Sequence, residues 1–147
     1  MAQPTTAKFG KFIVKLGDGA DPEVFAAPCG FTSKSLQLTK TLSEVSIPDC
    51  NEPDAPIVIG RDVQSTSASI SGEGVLAAEA VEAWMDAYKS TDSVSVQLEI
   101  TFSSGVLKFV GKMHVASISL GAEQGGRVTI SVEMQSDGAL VQTSTIA

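Results

Sequence analysis

The sequence VASISLGAEQGGRVTISVEMQSDG, residues 115–138, decides the fold of this chain. After its Gly-rich centre, Val128 and Ile130 alternate with Thr129 and Ser131, the period-2 pattern of a strand that buries one face and exposes the other. The exposed positions on both sides of the turn are almost all small and uncharged. The stretch therefore predicts a hairpin whose outer face is hydrated but carries few charges, and the same decoration recurs in earlier strands.

Further alternating segments predict a mainly β protein. In residues 33–42 leucines alternate with Ser, Gln and Thr, and in residues 65–72 four serines share one face. The longest predicted hairpin spans residues 94–115, with a bulge near Val115 because the apolar positions change there from odd to even numbers. Together with a first strand at residues 12–16, these segments predict an antiparallel β-sandwich or flattened barrel of about seven strands.

One segment, residues 75–89, predicts a helix that flanks the sheet. Leu76, Ala80, Trp84 and Tyr88 recur every four residues, and charged residues occupy the other side. The position of Trp84 on the apolar stripe favours core packing over a role in ligand stacking.

Composition favours one globular domain. The chain has 147 residues, of which 43% are hydrophobic and 18% charged, enough to build a single core. No apolar run approaches the roughly 20 residues of a membrane span, so we expect no membrane insertion. The N-terminal residues lack the features of a secretory signal, and synthesis in the cytoplasm is expected.

The net charge of -7 is concentrated in the middle of the chain. Residues 41–100 carry eleven acids against two bases, Arg61 and Lys89. An acidic surface repels phosphates, so nucleic-acid binding through Lys and Arg is disfavoured. Alternatively, the acids serve only solubility.

The residues that carry chemistry in enzymes and metalloproteins are sparse. His114 is the only histidine, and Cys29 and Cys50 have neither metal-ligand spacing nor a nearby histidine, so we expect them to be unpaired. A nucleophile elbow, a phosphate-binding loop and a dinucleotide fingerprint are absent from the sequence. We therefore predict neither enzymatic activity nor a cofactor or metal site.

A loop is predicted over residues 46–64, because three prolines and several acids there are incompatible with the inside of a sheet. Loops of this length are usually functional. Ile57, Val58 and Ile59 form an apolar patch within it. Either these three residues dock onto another surface, or they fold back onto the core.

Two segments together carry a resemblance to a known family. ISGEGVL at residues 70–76, leading into the Ala/Glu-rich helix, and residues 115–138 resemble the major tail tube proteins of long, non-contractile-tailed bacteriophages. The resemblance implies a single tail-tube-like domain over residues 1–147. It also implies hexameric rings whose inner strands form one continuous barrel, and stacking of these rings into a hollow tube that conducts DNA to the host cell. The protein would be made in the host bacterial cytoplasm and reside in the virion tail.

In such a tube, the small hydroxyl and amide side chains would line the lumen, where DNA passes transiently without specific binding. Acids there would add repulsion, whereas Lys40 and Arg127 depart from the pattern unless they pair with acids or face a neighbouring subunit. The candidate lumen residues are Ser35, Gln37, Thr39, Glu44, Ser67, Ser69, Ser117, Ser119, Thr129, Ser131 and Glu133.

The resemblance also assigns assembly roles to the loop and to both termini. The N-terminal arm, residues 1–8, and the C-terminal arm, residues 139–147, would reach neighbouring subunits. Implied partners are further copies of the chain and the tail initiator or distal tail, tape-measure and tail terminator proteins. The loop would stack one ring on the next through Pro48, Asp49, Glu52, Asp54, Ile57, Val58, Ile59 and Arg61.

Two alternatives stay open at this point. A tube protein of a contractile secretion system shares the ring-forming architecture and would differ in how its rings stack. A monomeric β-sandwich binding module would stay near 15.2 kDa at all concentrations and bind a ligand through its loops.

Overall fold

The computed structural model describes residues 3–17, 25–26 and 29–146. The sequence Gly17-Asp18-Gly19 predicts a hairpin turn after the first strand, and residues 18–19 lie outside this part of the chain. A short 3-10 helix, Phe9–Lys11, precedes the first strand. The regular elements are β1 (Phe12–Gly17), β2 (Phe25–Ala26), β3 (Phe31–Ile47), β4 (Val58–Val75), α1 (Ala78–Lys89), β5 (Val94–Phe102), β6 (Gly105–Gly121), β7 (Thr129–Ser136) and β8 (Val141–Ser144).

All strands belong to one antiparallel sheet, which confirms the prediction of a mainly β fold with one helix. The strand order is β2-β1-β5-β6-β7-β4-β3. Strands β8 and β7 pair with the same edge of β6, β8 with residues 107–110 and β7 with residues 113–121. The sheet is not closed into a barrel. Its two halves enclose a common core, in which Val14 and Leu98 from one half join Ile70 and Met134 from the other, as in a sandwich.

Helix α1 covers one side of this core. Ala80 and Trp84 are buried, and the Trp84 ring meets the Phe31 ring edge to face, with centroids 5.5 Å apart. The prediction of core packing for Trp84 is thus confirmed. The helix begins at Ala78, later than the predicted residue 75, because Val75 still belongs to β4.

Strand β6 contains the predicted bulge. Its pairing with β7 changes register between Val115 and Ser117. Before the bulge Met113 and Val115 are buried, and after it Ile118 packs against the core. One extra residue therefore keeps apolar side chains on the core side along the whole strand.

The predicted loop 46–64 is wrong in its extent. Strand β3 continues to Ile47 and β4 begins at Val58, so only residues 48–57 form the connection. All three prolines lie in this connection, as their missing N–H groups require. The flanking residues pair across the hairpin from Leu42 with Val63 to Ile47 with Val58.

The segment predicted as a C-terminal arm, residues 139–147, contains a strand that pairs within its own chain. Strand β8 pairs with residues 107–110 of β6, and the Thr145 N–H donates to the Val106 carbonyl at 3.0 Å. Gly111 permits this approach, since a Cβ there would lie 2.4 Å from the Leu140 side chain. At the other terminus, residues 3–8 form no regular element.

Cys29 and Cys50 are both exposed, and no disulfide joins them. Within the described residues, no helix combines the length and apolar character that crossing a membrane would need.

Candidate lumen and assembly surfaces

Four strands present one continuous polar surface on the side opposite the core. In an antiparallel sheet, residues directly opposite each other share a face. One row across the sheet joins Ser35, Ser71, Glu133 and Ser117 through successive strand pairs. We call this surface the hydroxyl face; its polar members are Ser33, Ser35, Gln37, Thr39, Thr41, Ser65, Ser67, Ser69, Ser71, Glu73, His114, Ser117, Ser119, Thr129, Ser131, Glu133 and Gln135. Val75 lies on the same side, opposite Thr129.

The structure brings all the candidate lumen residues together on this face, with one exception. Glu44 lies on the other side of β3, where it pairs with Arg61, and the two side chains form an ion pair at 3.5 Å. The reason is parity, because Glu44 lies seven positions after Gln37 on β3. The register shift between Thr41 and Leu42 does not change this parity, since the extra residue, Gln64, lies on β4. The face also contains residues that are not among the candidate lumen residues, namely Ser33, Thr41, Ser65, Ser71, Glu73, His114 and Gln135.

The hydroxyl face carries no Lys or Arg among the described residues. Ser35 and Ser71 share a hydrogen bond of 2.6 Å between their hydroxyl oxygens. The charged members of the face are the acids Glu73 and Glu133, and His114 lies 3.5 Å from the Asp137 carboxylate. The surface is therefore well hydrated and weakly acidic.

The same side of the sheet has a different character on β1, β5 and the first part of β6. Here the Glu99 carboxylate forms ion pairs with the ammonium groups of Lys15, at 3.5 Å, and Lys108, at 3.6 Å. Lys112 is exposed nearby. We call this region the charged face. The transition from the charged face to the hydroxyl face occurs within β6, between Lys112 and His114.

The two bases that departed from the lumen pattern are both off the hydroxyl face. Lys40 lies on the core side of β3, with the parity of Leu36 and Leu38. Arg127 lies in the connection between β6 and β7 and is exposed.

Two strand edges next to the hydroxyl face are unpaired within the described residues. Strand β3 bonds only to β4, so its other edge is open along its length. The partner of β6 on the side away from β7 is β5, which reaches only to Met113. The edge of residues 116–121 is therefore open too, and open edges are templates for pairing with another chain.

The end of the β3–β4 hairpin projects from the body of the protein. Beyond Ala68, β4 pairs only with β3, and we call residues 38–67 the arm. At about 3.3 Å per residue, each strand of the arm is roughly 30 Å long. Val58 is 69% and Ile57 56% exposed, so the apolar patch of the predicted loop does not fold back onto the core.

The connection at the tip of the arm is acidic. The Asp49 carboxylate accepts the N–H groups of Asn51 and Glu52, at 2.8 and 3.3 Å, and so fixes the turn. Glu52 and Asp54 form no ion pair with any described residue. Of the predicted stacking residues, Pro48, Asp49, Glu52, Asp54 and Ile57 lie in this connection, and Val58, Ile59 and Arg61 lie on β4.

Lys34 lies at the margin of the core. Its ammonium donates to the Phe12 carbonyl at 2.6 Å and lies 4.5 Å from the centroid of the Phe9 ring. Burial lowers the pKa of Lys34 below its ordinary value of 10.5.

Within the described part of the chain, no group of three or more His, Cys, Asp or Glu side chains is arranged to hold a metal ion. The Trp84 Nε1–H is buried and has no hydrogen-bond partner there.

Comparison with known proteins gives a family for most of the chain. Residues 6–142 match the model of a family described as phage tail tube protein. No curated protein matches the chain by sequence.

Solved structures of tail and tube proteins share its fold. A chain from the tail of an empty gene transfer agent (GTA) particle, refined with C6 symmetry, has a TM-score of 0.74 at 21% identity, covering 94% of this chain and 99% of that one. The SPP1 tail tube gives 0.62 at 15% identity, over 97% and 81%. The sheath–tube complex of an extracellular contractile injection system, PVC, gives 0.60 at 10% identity, over 95% and 92%. At these identities the likeness is one of fold.

Proposed function

Since the chain belongs to the phage tail tube protein family and is thus a structural protein of the virion tail, we propose that six copies form a ring and that rings stack into a tube whose lumen is lined by the hydroxyl face. Six is the symmetry of the similar GTA tail. The family match covers most of the chain and favours this function over a contractile secretion tube or a monomeric binding module.

The open strand edges supply the joint between neighbours in the ring. The inner half of each subunit has four antiparallel strands in the order β6-β7-β4-β3. With an even number of alternating strands, β3 runs opposite to β6, so β3 of one copy can pair antiparallel with residues 116–121 of the next. Pairing around the ring leaves no open edge on the inner wall.

The observation that carries the lumen assignment is the segregation of charge on one sheet. The hydroxyl face has no Lys or Arg, whereas the charged face of the same sheet holds Lys15, Lys108 and Lys112. Lysines in a lumen would bind phosphates and slow the passage of DNA. Hydroxyl and amide groups keep the wall wet without binding the backbone, and the acids add repulsion.

The remaining roles follow from the same architecture. The arm contacts the next ring, and residues 3–8 are available to a neighbour. At its ends the tube meets tail initiator and terminator proteins, and its lumen holds the tape-measure protein before DNA passes. The role is structural and involves no catalysis.

The lumen assignment can be tested by accessibility in assembled tubes. In a background with Cys29→Ser and Cys50→Ser, Ser131→Cys places a thiol in the middle of the hydroxyl face, on a strand paired on both sides. We expect it to react in monomers with a maleimide on a polymer too large to enter the tube, and to become unreactive once electron microscopy shows tubes.

The matched control is Thr143→Cys on β8, next to Lys108 of the charged face. This thiol should react equally in monomers and tubes. Reaction of Ser131→Cys in intact tubes would refute the lumen assignment. Monomers at every concentration, including in the presence of preformed tail tips, would refute the ring itself.

A further inference from the structure

The tip of the arm is apolar on both of its sides. Along the hydroxyl side of β3, Thr39, Thr41 and Ser43 are followed by Val45 and Ile47. Ile47 pairs with Val58. All three apolar residues are exposed, at 45, 53 and 69%. On the other side of the hairpin, Ile59 is 44% exposed. A hairpin tip with apolar side chains on both sides is suited to burial between other surfaces and not to lining a wet lumen.

The opposite end of the subunit carries a second apolar surface. Strand β4 runs from the tip of the arm to Val75, which pairs with Thr129 beside the connection between β6 and β7. At that end Val75, on the hydroxyl side opposite Thr129, and Leu120, on the core side opposite Ile130, are 39 and 52% exposed, and Val128 is 44% exposed. We call these three residues, together with Arg127, the basal patch.

The two ends are also complementary in charge. Residues 46–60 contain three acids and no base. Glu52 and Asp54 form no ion pair with the described residues, and the same is true of Arg127 in the basal patch. An acidic apolar tip and an apolar patch that carries Arg127 thus lie at opposite ends of one chain, and the connection that holds Arg127 contains one acid, Glu123.

From these observations, and resting on the ring and tube proposed above, we infer that the basal patch of one copy receives the arm tip of a copy in the adjacent ring. Arg127 faces Glu52 or Asp54 in this contact, and Val75, Leu120 and Val128 cover the apolar tip. Because the contact joins different surfaces of identical copies, it is heterologous and repeats along an axis without closing. The contact explains why a base occurs at Arg127, because its partner is an acid of the adjacent ring.

Charge reversal tests this contact. Arg127→Glu sets an acid against the acidic tip, and the double variant Glu52→Lys, Asp54→Lys sets a basic tip against Arg127. We expect each variant alone to form rings but to lose tubes, with a critical concentration for stacking raised by about tenfold or more, since the contact repeats for every subunit of a ring.

Mixing the two variants provides the decisive measurement. The acidic tip of Arg127→Glu fits the unchanged Arg127 of the double variant, and the basic tip of the double variant fits Glu at position 127. We therefore expect the equimolar mixture to recover tubes of alternating rings by electron microscopy and sedimentation. Recovery also shows that both variants are folded.

The control is Lys89→Glu, which makes the same charge change at an exposed base at the end of α1. It should form tubes like the unmodified protein. The inference is overturned if Arg127→Glu forms tubes as readily as Lys89→Glu, or if the mixture stays as separate rings. Failure of the unmodified protein to form rings would instead overturn the proposed function on which the inference rests.

Discussion

Lys34, at the margin of the core, links the stability of the fold to pH. Its ammonium is held by the Phe12 carbonyl and the Phe9 ring, yet burial dominates and lowers its pKa. The charged form is therefore less favourable in the folded chain than in the unfolded one. Between the lowered pKa and 10.5, the unfolded chain binds more protons, so this group makes stability rise with pH.

The Lys34→Met variant tests this linkage, because Met keeps an unbranched apolar stem without the charge. We expect the free energy of unfolding of the unmodified protein to increase relative to Lys34→Met as pH rises from neutral toward 10.5. Urea denaturation of both proteins at each pH measures the difference and cancels the other titrating groups. A difference that is constant or falls with pH contradicts the assignment.

The position of Glu44 illustrates which residue-level predictions depend on register. Strand parity alone separates it from Gln37 and Thr39 and places it with Leu36 and Leu42, so its side could have been predicted from the sequence. His114 could not be placed in the same way. Its membership of the hydroxyl face depends on the pairing of β6 with β7, which a single sequence does not reveal.

At the scale of elements, the close approach of β8 to β6 depends on Gly111. We expect Gly111→Ala to push residues 139–140 away, because the new Cβ would lie 2.4 Å from Leu140 Cδ2 and 3.1 Å from the Ala139 carbonyl oxygen. The loss of stability should be about 1–3 kcal/mol, the usual range for overpacking. The substitution should raise the hydrogen-exchange rate of the Val141–Ser144 amides more than that of the amides in the other strands.

Gly126→Ala is the matched control for this prediction. A Cβ at residue 126 would meet only the Glu123 carbonyl oxygen, at an ordinary contact distance of 3.6 Å. The control should leave exchange of β8 unchanged. Equal exchange of β8 in both variants would show that the approach at Gly111 does not hold the segment.

The elements predicted well were those with a buried face. Helix α1, the β5–β6 hairpin and β7 each show a clear period because one side packs on the core. The outer part of the arm shows none, since both of its faces are exposed and apolar residues occur on each. Its prolines and acids therefore predicted a loop over residues 46–64. The segment 141–144 is short and fully exposed, so its composition does not distinguish a strand from a free arm.

At the scale of the whole molecule, the segregation of charge predicts whether the proposed tube retains or releases DNA. Ser69→Lys with Ser131→Lys would place bases on the hydroxyl face, and we expect tubes of this variant to retain DNA that the unmodified tubes release. If about six phosphates are contacted, the affinity of the variant tubes for DNA should fall on the order of a thousandfold between about 50 and 200 mM salt. Binding of a short labelled duplex to purified tubes measures the effect.

Thr143→Lys, on β8 beside the charged face, is the control for this experiment. It adds the same kind of charge to the proposed outer surface and should not retain DNA within tubes. If both variants bind DNA alike, the assignment of the hydroxyl face to the lumen and of the charged face to the outer surface is wrong.

The alternation of four strands on the inner half has a consequence for how the tube diameter is set. The joint between β3 and the next β6 is the same kind of antiparallel ladder as the joints inside each subunit, so the wall of the proposed ring has no seam. Strand pairing alone does not determine the number of subunits in such a ring, because the strands would pair equally well with one copy more or one fewer. Ring size must then be specified away from the backbone ladder, by the angle at which the bulkier outer parts of adjacent subunits meet.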